Sequence, residues 1–439
     1  MKRGGLIGAL ALGAALRIVA LPLPGSVDTG SWKTWSFVGS TDPAGLYGVG
    51  GNPPERRLLK WSGIAGTTEY PPLTLYELAV VGRIYWTIDP LYADSPTLNA
   101  LIKAPGTLSE VTFVVVLLTW GRRRFGDAAV WTALAFWLNP AVLLNGPVLG
   151  YLDPQMAVPA ALAFLAAAAG HPVAAGALAA CAVLTKAQAL FVLPALALFI
   201  WRGVPPSGTR ALLGGVSGGA LATALILLPI VLRGAFANMV QAVGRLAAHD
   251  MLSGYALNIW WIATWAARVR AVVDEWGWWR ALTMDVRILR ITDWMRFYPN
   301  PKPFASAVVV AAIGWACWRA RRGLSIGHAA FLAAWCVYVY TMLSVQVHEN
   351  HLYLAIPFVM IAGGFEPRLR SVAWAISLIT AINMYLFYGL GDGWPPLVGR
   401  RWTLIDLSVL LAFGNLGVFA WATKTLLAAT GEETAVAVQ

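Results

Sequence analysis

Five short stretches hold the residues whose side chains can do chemistry. Asp28 stands in VDTGSW, and Glu69 to Glu77 read EYPPLTLYE. Asp153 closes the run NPAVLLNGPVLGYLDPQ. Lys186 and Gln188 lie in LTKAQALFVLP, and His348, Glu349 and His351 lie in VHENHLYLAIP. An aspartate such as Asp28 can take a proton from a hydroxyl, or it can cap a helix. Lys186 can hold an anion, or snorkel from an apolar segment to the interface. His348 can bind a ligand or end an interfacial helix, and Glu349 and His351 can be solvated loop residues. Asp153 precedes a proline, so a turn role competes with ligand binding. Tyr70-Pro71-Pro72 suits a helix entry, because proline fixes the chain there. Trp32, Trp35, Tyr47 and Tyr70 can stack on a sugar ring or anchor a loop at an interface.

The surroundings of these stretches are far too apolar for a soluble protein. Of 439 residues, 58% are hydrophobic and only 12% charged; soluble domains carry about 25% charged residues. Apolar runs of bilayer length, roughly 17–25 residues, recur from end to end. The expected fold is therefore all-α, a polytopic transmembrane helical bundle of about twelve spans. The net charge of +11 belongs to short basic loops that set topology and meet anionic lipid, not to a nucleic-acid module. Cys181, Cys317 and Cys336 lie inside apolar segments, with neither disulfide nor zinc spacing.

Lys2 and Arg3 precede the first apolar run, but Arg17 interrupts it and no small-x-small cleavage site follows. The run is expected to be an uncleaved first span with a cytoplasmic N-terminus. A long first outer loop follows, residues 24–72. Four regions are expected: 1–235 with that loop, a Trp-rich interfacial segment 236–303, a C-terminal transmembrane module 304–425 and a disordered tail 426–439. Residues 73–86 and 256–267 are short and are counted as re-entrant or interfacial. The basic runs at Arg122–Arg124, Arg319–Arg322 and Arg368–Arg370 then all fall inside. This orientation sorts the polar clusters to the outer face of a cytoplasmic membrane.

Two charges lie at membrane depth. Arg17 and Glu110 each sit about six residues, hence about 9 Å, inside the outer end of a span. A charge there is costly unless paired or hydrated. A structural ion pair between them is expected; the competing reading is a snorkelling Arg17 and a Glu110 facing water.

The ordered set of motifs resembles the GT-C superfamily of membrane glycosyltransferases, nearest to the hexosyltransferases that use dolichyl- or polyprenyl-phosphate glucose or mannose. The likeness rests on Asp28 in the first outer loop, Tyr70-Pro71-Pro72-Leu73, Lys186-Ala187-Gln188 and His348-Glu349, with SGYALNIWW at 253–261. Asn350 replaces the basic residue usual after His-Glu. The resemblance implies hexose transfer from a polyprenyl-phosphate donor to an unidentified glycan, lipid or protein acceptor at the outer face. Asp28 would be the general base, giving inversion at the anomeric carbon. Lys186, His348, Lys103 and Arg400 would meet the donor phosphate. Trp32, Tyr70, Asp153, Gln188, Glu349 and His351 would contact sugar or acceptor. No DxD pair occurs in the first outer loop, so neither metal nor cofactor is expected. Two rivals stand beside this reading. A lipid or glycan transporter or flippase would show internal repeats and midplane polar groups. A non-catalytic envelope-assembly scaffold would tolerate loss of Asp28.

Overall fold

The computed structural model describes residues 3–48, 59–66, 68–203, 207–322 and 324–436. The fold is all-α. Its longer helices are α1 (Arg3–Ala20), α2 (Asp28–Gly39), α3 (Pro72–Ile88), α4 (Pro96–Val116), α5 (Asp127–Trp137), α6 (Asp153–Ala168), α7 (Pro172–Thr185) and α8 (Leu193–Arg202). There follow α9 (Thr209–Leu232), α10 (Phe236–Gly244), α11 (Ile259–Leu282), α12 (Pro301–Arg319), α13 (Ile326–Leu343), α14 (Ile356–Phe365), α15 (Arg370–Tyr388) and α16 (Leu407–Val436). A short antiparallel hairpin, β1 (Leu59–Trp61) with β2 (Ile64–Gly66), lies in the first loop. A parallel pair, β3 (Ser253–Gly254) with β4 (Val347–His348), joins two distant loops.

Local sequence explains many helix starts. Pro72, Pro96, Pro140, Pro154, Pro172, Pro194, Pro301 and Pro357 occupy the first positions of helices, where the missing N–H costs nothing. Ser95, Asn139, Asn258, Asn300 and Ser325 cap helices through side-chain acceptors.

Among the described residues, six helices are long and apolar enough to cross a membrane. A seventh span is possible if α5 and the segment Pro140–Val148, bent by 47°, count as one. That is fewer than the twelve expected. The remaining apolar runs form shorter helices, including α1, α7 and the stretches Ala187–Arg202 and His351–Phe365. Two of these begin in 3₁₀ turns, at Ala187–Val192 and His351–Ala355. Residues 73–86 fall in α3 and residues 259–267 of the second segment in α11, neither of which is among the six. The last helix runs to Val436, through most of the stretch expected to be a tail; residues 437–439 lie outside the described set.

One apolar core extends from α4 to α16. Its centre is α13, apolar on every face and 83% buried, with α14 beside it. By contrast α9 is only 17% buried and presents Leu213, Val216, Leu221 and Leu225 outward, as a lipid-facing helix should.

The membrane-depth charges form the expected pair. Arg17 Nε meets Glu110 Oε2 at 2.7 Å, and both side chains are buried. Arg17 Nη1 also donates to the carbonyls of Gly13 and Trp137, and the guanidinium lies 3.5 Å from the Trp137 ring centroid. This locks α1 onto α4 and α5.

Candidate functional site

Asp28 is the first residue of α2, which is entered through a tight, pinned turn. Gly25 and Gly150 both take positive φ, a conformation glycine adopts freely. Ser26 N–H donates to the Leu149 carbonyl at 2.8 Å, and Asp392 N–H donates to the Gly25 carbonyl at 2.8 Å. Thr29 Oγ1 donates to the carbonyls of Ser26 and Pro24. These bonds fix the helix start to the loop before α6.

A cavity of about 590 Å³ opens above this turn. Asp28, Lys186 and His348 all line it, with Trp32, Trp35, Tyr70, Glu69, Gln188, His249, Tyr340, Asn350 and His351. Three groups separated by more than 150 residues thus share one space.

Asp28 has a solvent-reachable carboxylate that takes no hydrogen bond or ion pair among the described residues. Burial among protein atoms raises its pKa, the Lys186 ammonium opposes that rise, and the Asp153 carboxylate adds to it. The position at a helix N-terminus also favours the anion.

Lys186 is held from behind. Its Nζ donates to Asp153 Oδ1 at 2.5 Å, and both side chains are buried. Asp153 Oδ2 accepts from Asn145 at 2.9 Å and from Asn350 at 2.8 Å. The Tyr70 ring centroid lies 5.5 Å from Lys186 Nζ. A lysine has three donors; Asp153 takes one and the Tyr70 hydroxyl is placed to take a second, so Lys186 keeps one for an anion in the cavity.

His348 hangs on the β3–β4 pair, where Gly254 faces it. Tyr255 and Gln346, on either side, both take positive φ, which is costly for residues with a Cβ and is often found where a site over-determines the backbone. A Cβ on Gly254 would stand 2.8 Å from His348 Nδ1. Gly254→Ala is therefore expected to push the imidazole out of place at a cost of about 1–3 kcal/mol. The change is readable as a lowered thermal midpoint and a shifted ring in the variant's structure.

Burial, with the neighbouring His249 and Lys186, holds the His348 pKa down at about 4. A ring with so low a pKa meets a phosphate as a neutral hydrogen-bond donor. His351 is fixed by Tyr340 OH at 2.9 Å and by Gln188 Nε2 at 3.2 Å.

The aromatic wall is a packed triangle: Trp32, Trp35 and Tyr70 have centroids 4.8–5.5 Å apart. Tyr47 is buried and its hydroxyl donates to the Tyr70 carbonyl at 2.6 Å, so it supports the wall from outside the cavity. Two lining residues leave buried polar atoms without partners among the described residues, Trp32 Nε1 and Gln188 Oε1. Such atoms are costly unless a ligand or water meets them.

Four expected ligand contacts are corrected. Lys103 donates to the carbonyls of Leu23, Val148 and Ala20, at 2.7, 2.8 and 3.3 Å, so its three donors are spent on backbone. Arg400 is paired with Asp406 and donates to the Val286 carbonyl, outside the cavity. Asp153 stands behind Lys186, and Glu349 stands behind the wall with one oxygen accepting from Tyr151 OH at 2.6 Å. Among the lining residues, Ser31, Phe191, Tyr340 and Gln346 carried no sequence signal. Glu69 and His249, 3.1 Å apart, were legible only as polar groups of the outer face.

Burial pushes Glu349 up to about 8, partly offset by the Tyr151 hydrogen bond. A raised carboxyl pKa means the folded state holds a proton that the unfolded chain releases near 4.5. Stability from this group is full below about pH 4.5 and is lost as pH rises through about 8. The thermal midpoint in detergent should fall across that window, and Glu349→Gln should flatten the fall.

The chain is similar to a solved oligosaccharyltransferase of Archaeoglobus fulgidus, determined with an acceptor peptide containing the NVT sequon tethered by a disulfide bond. The two are 14% identical with a TM-score of 0.43, and the match covers 98% of this chain and 55% of that one. This chain thus spans about half the length of the archaeal protein. No family model matches the sequence, and no curated protein matches it.

Proposed function

We propose that this protein is a membrane glycosyltransferase of the GT-C type. It transfers a hexose from a polyprenyl-phosphate donor to an acceptor hydroxyl at the extracytoplasmic face of the cytoplasmic membrane. The observation that carries this reading is the unpaired Asp28 carboxylate sharing one cavity with the anchored Lys186 ammonium.

Asp28 takes the proton of the acceptor hydroxyl as its oxygen bonds to the anomeric carbon. The bond from that carbon to the phosphate oxygen breaks, and the lipid phosphate leaves with the electron pair. Lys186 supplies positive charge to that phosphate and His348 a hydrogen bond. Attack and departure from opposite faces invert the anomeric carbon. The reaction uses no metal ion in this proposal. A hexose stacks on the wall of Trp32, Trp35 and Tyr70, while Trp32 Nε1 and Gln188 Oε1 meet its hydroxyls. The cavity volume suits one small polar ligand.

The test is reconstitution of the full chain with a panel of polyprenyl-phosphate sugars, glucose and mannose first, and analysis of glycosylated products. Transfer from one of them supports the reading. A chain that moves intact lipid-linked sugar across the bilayer, with no glycosidic bond made, overturns it in favour of a flippase.

A further inference from the structure

A second cavity, of about 730 Å³, lies between the end of α11, the loop 283–287 and the loop before α16. We propose that it binds the phosphate of an anionic membrane lipid. The inference does not depend on the transferase reading.

Its walls carry Arg268, Arg280, Arg287 and Arg401, with Trp276 and Trp279. Two carboxylates share the space, Asp285 and Asp406. Asp285 is taken by Arg401 through contacts of 2.6–3.0 Å. Asp406 is taken by Arg400, by Val286 N–H and by Ser408. Arg268 is fixed in place by donating to the carbonyls of Arg287 and Ile288, both at 3.0 Å. It forms no ion pair among the described residues. Arg280 lies 4.9 Å from the Trp276 ring centroid, and neither it nor Arg287 has a carboxylate partner among the described residues. Five arginines, counting Arg400, thus face two carboxylates, and the surplus surrounds one cleft.

Arginine forks match the geometry of phosphate oxygens. The rim says which phosphate. Trp278 and Trp279 are each 68% exposed and Trp276 is 40% exposed, a composition that sits at headgroup depth in a bilayer. A free anion has no use for exposed indoles, whereas a phospholipid has an acyl–headgroup boundary that fits them. The cleft also belongs to the same end of the bundle as the first cavity. Leu252 N–H donates to the Leu289 carbonyl at 2.9 Å, and the adjacent β3 pairs with the strand carrying His348.

The test is native mass spectrometry of the full chain in detergent with dihexanoyl phosphatidylglycerol, dihexanoyl phosphatidylcholine and inorganic phosphate as separate probes. Wild type should retain the phosphatidylglycerol in preference to the zwitterionic lipid. The double variant Arg280→Gln/Arg287→Gln should bind it about tenfold more weakly, and Arg280→Lys/Arg287→Lys should recover part of that loss. The control Arg270→Gln/Arg290→Gln removes two exposed arginines outside the cleft and should change nothing. Retention of inorganic phosphate, lost in the same variant, would keep the phosphate chemistry and name a free anion as its source. Equal retention of both lipids by wild type, unchanged binding in the double variant, or equal loss in the control overturns the proposal.

Discussion

Asp28→Asn should reduce transfer by about 10²–10⁴-fold, the usual worth of a positioned general base, while leaving the protein as stable as before. The stability half of that expectation is specific. The carboxylate takes no hydrogen bond or ion pair from the described residues, and burial makes its charge costly. A neutral side chain of the same shape therefore loses the favourable field of a helix N-terminus, about 0.3–1 kcal/mol, and the attraction of the Lys186 ammonium, and gains relief from desolvation, which outweighs that attraction. A thermal midpoint within a few degrees of wild type, with turnover gone, identifies a chemical role. Unchanged turnover would remove Asp28 as the base. The pH profile follows from the same environment. A base works only when ionised, so the rate should fall on the acid side as Asp28 gains its proton. Because burial raises its pKa, that limb should lie above the ordinary aspartate range near about 4.

The second large effect is on stability. Arg17→Met leaves Glu110 buried without its cation and should cost roughly 3–5 kcal/mol. Arg17→Met/Glu110→Met removes both charges and should recover most of the loss, because burying the pair is itself expensive. Thermal unfolding of the two single variants and the double variant in one detergent measures the coupling. If the two single losses sum to the loss in the double variant, the 2.7 Å contact contributes nothing beyond its parts.

The Arg17–Glu110 contact was legible because a bilayer leaves few options for charges at equal depth. The meeting of Asp28, Lys186 and His348 was legible through the order of the motifs around them. What failed was the assignment of free cations. Lys103 and Arg400 look alike in sequence to Lys186, yet backbone carbonyls and Asp406 satisfy them. Those acceptors belong to loops whose placement no periodicity reveals. The lengths of the apolar helices were illegible for a related reason. Hydropathy counts apolar residues, but 3₁₀ turns at Ala187–Val192 and His351–Ala355 and the bend after Trp137 divide apolar runs into pieces. Asp153 read as a ligand or a turn, and it is a support: its two oxygens organise Lys186, Asn145 and Asn350.

The two-residue parallel pairing of Ser253–Gly254 with Val347–His348 has a consequence for biosynthesis. A ribosome must deliver everything up to Val347 before the second of these strands exists. Until then the imidazole has no seat and one wall of the first cavity is missing, even with α1 to α13 already synthesised. The first cavity is thus completed late, in the step that brings the two loops together.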